Sequence, residues 1–113
     1  MDKQIADLVE SIKECLEILI TSSAKISMDL QTGNETKALH NLGQYLDNFI
    51  CLVEAVTAIR NSGSDFFADT AETELRDRLS EMEHAVVSKD YVLLADIIEY
   101  EIIELLKALK LQC

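Results

Sequence analysis

Glu81 and His84 stand three residues apart in the stretch SEMEHAVV. On a helix that spacing places both side chains on one face. Four-helix bundles hold di-iron centres with two such E-x-x-H pairs and two further glutamates. The only other histidine is His40, and Lys37 fills the position three residues before it, so the second pair is missing. A second group, His40, Gln44, Asp47 and Cys51, recurs at i, i+4, i+7 and i+11. That ladder would let His, Asp and Cys converge on a metal. It is also how a solvated polar face reads, with consecutive members about one turn apart and no residue evident to orient a ligand. A metal-binding bundle is the weaker reading, and no metal or cofactor is expected.

The thiols are equally quiet. Cys15, Cys51 and Cys113 are odd in number and form no C-x-x-C. That is no disulfide framework, and it fits a reducing cytoplasm. No cysteine has a histidine or basic neighbour in sequence that would favour a reactive thiolate. Cys15 falls at the edge of an apolar stripe, Cys51 on a polar face, and Cys113 at the chain end. There is no glycine-rich phosphate loop, zinc signature or nucleophile elbow, so the chain reads as non-enzymatic.

The elements that would position these residues are helices. The 113-residue chain has no proline, three glycines and 49% apolar residues, a composition that favours helix over disorder. One helical-bundle domain over residues 1–113 is expected. The net charge is -11, with 12 acids and 5 bases in residues 65–113 against 9 and 5 in residues 1–64. Such a balance argues against nucleic acid and anionic membrane surfaces, which call for positive charge. The opening MDKQIADLVE has no apolar h-region, and no apolar run approaches a membrane span.

Breaks fall at QTGNET and NSGSD, where Gly33 and Gly63 suit helix ends and Asn34 an N-cap, and at SKD, where Asp90 can cap. Asp69 and Glu72 have capping-box spacing. The spacing predicts four helices over 3–31, 35–61, 70–88 and 91–111, and an all-α, up-down four-helix bundle with short connections. Phe66 and Phe67 should anchor the connection before the third helix. The first stripe contains Ile5, Leu8, Val9, Ile12, Cys15, Leu16, Leu19, Ile26 and Leu30, with Ser23 inside it bonding back to the Leu19 carbonyl. The second runs from Leu39 through Leu42, Tyr45, Leu46, Phe49, Ile50, Leu52 and Val53 to Val56, wide enough for two neighbours. The third, Ala71, Leu75, Leu79, Met82 and Val86, is narrow.

The last helix is the unusual one. At about 100° per residue, Leu94, Ala95, Ile98, Ile102, Leu105, Leu106 and Leu109 form its core face. Leu93, Ile97, Tyr100 and Ile103 then share the opposite side with Asp96 and Glu104. A helix apolar on two sides has a second surface to cover, by its own bundle, a second copy or a partner protein; the equal alternative is that Tyr100 and Ile97 are simply half-buried at a helix edge. Leu93, Asp96, Ile97, Tyr100, Ile103 and Glu104 are therefore the candidate interaction surface.

The segment KDYVLLADIIEYEIIELL, residues 89–106, resembles the closing signature of small acidic helical-bundle proteins of Gram-positive, clostridia-like bacteria, in which a KDYVLLADLLEYEL-like stretch ends a chain of about this length. The resemblance covers about half the chain, including ALHNLGQYLDNFICLVEAV, and implies a helical bundle without any catalytic residue to carry across. The functional expectation is a cytoplasmic protein–protein interaction module with a protein partner or a homodimer. The alternative is a holder of an amphipathic partner helix, in the manner of flagellar export chaperones.

Overall fold

The computed structural model describes residues 3–113 and is an all-α four-helix bundle. Helix α1 spans Lys3–Gln31, α2 Glu35–Asn61 and α3 Ala71–Val87. The fourth helix, α4, is continuous but built of three stretches: Tyr91–Asp96 is α-helical, Ile97–Ile102 is π-helical and Ile103–Gln112 is α-helical again. Each helix packs on its sequence neighbours, and α4 closes the ring against α1. This is the up-down order that short connections impose. No helix among the described residues is long and apolar enough to cross a membrane.

The ends of the helices follow local chemistry. Gly33 (φ +85°) lets the Asn34 N–H reach back to the Asp29 carbonyl, closing α1. Asp90 caps α4 by accepting the Leu93 N–H at 3.1 Å. Asn34 and Thr70 occupy N-cap positions without a side-chain cap bond. The Asp69–Glu72 capping box does not form. Glu72 is drawn instead to Arg60 (2.9 Å) and Arg76 (3.0 Å), and Arg76 also donates to the Thr57 hydroxyl. These contacts tie α2 to α3, and Arg76 first, then Arg60, hold the Glu72 carboxyl below the usual glutamate range. At the end of α3, Lys89 takes the left-handed conformation (φ 56°), and the Asp90 N–H bonds the Ala85 carbonyl.

One apolar core runs through all four helices. Leu16, Leu19, Phe49, Leu75, Met82, Leu94, Ile98, Ile102 and Leu106 are completely enclosed. Phe67 is buried in the 62–70 connection and meets Phe66 edge-on, with ring centroids 4.9 Å apart, so the aromatic pair anchors that loop. Two details of the stripes are corrected. Ile50 is exposed, because the arc of α2 is narrower there, while Ile59 further along is buried. Ser23 does not turn back to Leu19. Its Oγ pairs with the Tyr45 hydroxyl of α2 at 2.6 Å, an inter-helix partner that sequence spacing within α1 cannot reveal.

Candidate functional site

The π-helical stretch shapes the outer wall of the bundle. The most deeply enclosed residues of α4 are Leu94, Ile98, Ile102, Leu106 and Leu109, spaced 4, 4, 4 and 3 residues apart. In a regular α-helix each four-residue step drifts by about 40°, so three in succession would carry Leu106 out of the core. A π turn, closed by i→i+5 bonds, holds more residues per turn and removes that drift. The Ile103 N–H donates to the Ile98 carbonyl in this register. One extra residue is thereby accommodated in a 4-3-4-3 core stripe.

This corrects the placement of Ile97. A uniform 100° rotation put it on the outer face, but it is 4% exposed and packs in the core. Of the other surface candidates, Leu93 is 41% and Tyr100 68% exposed. Asp96 and Glu104 are exposed, and Ile103 is half-buried. The structure thus divides the six. Asp96, Tyr100, Ile103 and Glu104 lie at i, i+4, i+7 and i+8 on the outer side of α4. Leu93 and Ile97 turn toward α3.

There they line a groove of about 510 Å³ with Ser80, Glu81 and His84 of α3 and Glu101 of α4. Ion pairs beside the groove join its two helices. The Arg78 guanidinium reaches Glu81 at 2.8 Å and Glu101 at 3.5 Å, bridging the two helices. Arg78 Nε is buried without a hydrogen-bond partner. Such an arrangement holds α3 and α4 at a fixed spacing while leaving a wall of carboxylates and an imidazole open to solvent. Ser80 and Glu101, which line the groove, and Arg78, which pairs with its carboxylates, were not foreseen. The Arg78–Glu81 spacing of three was the available signal, but which wall Glu101 faces depends on the π turn.

The E-x-x-H pair therefore lines a groove beside the apolar candidates. His40, Gln44, Asp47 and Cys51 are all exposed on α2, and Gln44 donates to Asn48 at 3.1 Å. Among the described residues, no three His, Cys, Asp or Glu side chains gather as metal ligands would. The groove is an open trough between α3 and α4. Its geometry suits contact with an extended or helical surface.

Comparison with known families matches residues 7–112 to a domain of unknown function, DUF8042. No curated protein and no solved structure matches the chain.

Proposed function

This chain belongs to the DUF8042 family. From its surface we propose that it is a non-enzymatic, cytoplasmic interaction module that seats a basic amphipathic helix along the outer side of α4 and the α3–α4 groove. The observation that carries this reading is the exposure of Leu93 and Tyr100 between carboxylates. Asp96 and Glu104 flank Tyr100 on the outer side of α4, and Glu81 and Glu101 line the groove with Leu93. Exposed apolar side chains supply contact area, and the acidic rim selects a partner of opposite charge while repelling acidic surfaces. The rim also disfavours a second copy docking through this face, since each chain carries a net charge of -11.

The test uses a labelled Lys/Leu amphipathic helical peptide and an acidic peptide with the same apolar face. Fluorescence anisotropy should show binding of the basic peptide only, weakening as salt rises. Leu93→Ser with Tyr100→Ala, both at exposed positions, should weaken it at least tenfold. Equal binding of both peptides, or no effect of the double variant, would remove the proposal. A concentration-dependent dimer in sedimentation that the same double variant abolishes would assign this face to self-association instead.

A further inference from the structure

We propose that Cys15 and Cys51 are a dithiol–disulfide pair, a modification site through which a hydroperoxide staples α1 to α2. The two cysteines lie in one cleft of about 190 Å³ between these helices, with Ser11, Ile12, Leu52 and Ala55. The Ser23–Tyr45 contact fixes the antiparallel register. Cys15 lies eight residues before Ser23, and Cys51 six residues after Tyr45. At about 1.5 Å per residue, the two are offset by only about 3 Å along the bundle. The Cys15 Sγ reaches the Asn48 carbonyl oxygen at 3.7 Å, one turn before Cys51, so it already points at the right part of α2.

The spacing of packed helices suits a disulfide. Axes about 8–10 Å apart, with Cα atoms about 2.3 Å from each axis, bring facing Cα atoms to roughly 3–5 Å and flanking ones somewhat further. A disulfide takes Cα separations of about 4.4–6.8 Å.

The two thiols are differently placed, which assigns their order. Cys51 is exposed and meets the oxidant first; Cys15 is half-buried. Its burial, and secondarily the charge of Cys51, push the Cys15 thiol up, so it keeps its proton while Cys51 reacts. The Cys51 sulfur attacks one peroxide oxygen, the O–O bond breaks, and water leaves, giving a sulfenic acid. The Cys15 sulfur then attacks the Cys51 sulfur. The S–O bond breaks, and the hydroxyl departs as a second water with the Cys15 proton. Two thiols and one hydrogen peroxide thus yield one disulfide and two waters, and a dithiol reductant reverses the bond. The shape of the bundle need not change, because the helices are already packed.

The experiment treats reduced full-length protein carrying Cys113→Ser with hydrogen peroxide near stoichiometry. The intact mass should fall by two hydrogens. Tryptic digestion should join the peptide ending at Lys25 to the peptide ending at Arg60. The urea midpoint should rise, and dithiothreitol should return both mass and midpoint. Cys51→Ser, at an exposed position, should abolish all three changes while leaving the reduced midpoint in place. Oxygen addition at Cys51 with Cys15 still free, or intermolecular Cys51 dimers as the sole product, would overturn the pairing.

Discussion

The Ser23 Oγ of α1 and the Tyr45 hydroxyl of α2 sit 2.6 Å apart with both residues shut from solvent. Each is the other's answer to burial in an apolar core. Burial pushes the Tyr45 phenol up to about 12, against a smaller downward pull from Ser23. In the unfolded chain the phenol titrates near 10. Between those values the unfolded state has lost the proton and the folded state keeps it. Stability is therefore full below about pH 10 and falls as pH rises toward 12, by on the order of 2 kcal/mol. Urea melts at pH 9 and pH 11.5 should show that loss, and Tyr45→Phe should flatten it.

The same pair makes a double-mutant cycle. Ser23→Ala or Tyr45→Phe alone strands a buried hydroxyl and should cost about 1–3 kcal/mol. The double variant should cost less than the sum of the two, since both polar groups are gone. Additive losses would mean that the two hydroxyls do not depend on each other.

Phe49 is wholly enclosed near the middle of α2. Phe49→Ala leaves a cavity and should cost about 3–5 kcal/mol, a large share of the roughly 5–15 kcal/mol available to a small domain. A urea titration showing less than about 1 kcal/mol would mean that the site collapses around the gap.

Removing Tyr100 tests the π turn directly. Tyr100 is an exposed residue inside the π stretch. Its deletion would leave the core residues of α4 spaced 4, 3, 4 and 3, the pattern of a regular α-helix. The variant should remain folded, with circular dichroism and urea midpoint close to or above the parent, and should lose the basic peptide. A loss of more than about 3 kcal/mol would show that the stretch is not a tolerated insertion.

Helix α3 should open before its neighbours. Its buried residues are Ala71, Leu75, Met82 and Ala85, two of them alanines, whereas α2 buries eight side chains including Tyr45 and Phe49. Fewer apolar contacts mean a smaller local free energy of opening. Hydrogen exchange followed by mass spectrometry should show faster exchange across 70–86 than across 42–56. Equal protection would mean that the bundle opens only as a whole.

Much of this architecture is legible in the sequence because it is local. Gly33, Asp90 and the long apolar stripes mark where helices start, stop and face inward. What escapes is set by partners distant in the chain. Ser23 meets Tyr45 rather than its own helix, and Glu72 is claimed by Arg60 and Arg76 rather than by the backbone it could cap. Ile97 escapes for another reason. Its burial follows from a change of helical pitch, and a uniform 100° rotation places it one wall away. The 4-4-4-3 spacing of Leu94, Ile98, Ile102, Leu106 and Leu109 was the written clue to that change.

Lys89 holds with a Cβ the left-handed backbone that Gly33 holds without one. A side chain in that conformation stores about 1–2 kcal/mol of steric strain. The turn that carries it joins the two walls of the acidic groove, yet Lys89 itself is not among the groove's lining residues. The strain therefore sits at a position where substitution leaves the groove's lining residues unaltered. Lys89→Gly should release part of that strain and raise the urea midpoint, a gain that would offset a destabilising change elsewhere in the chain.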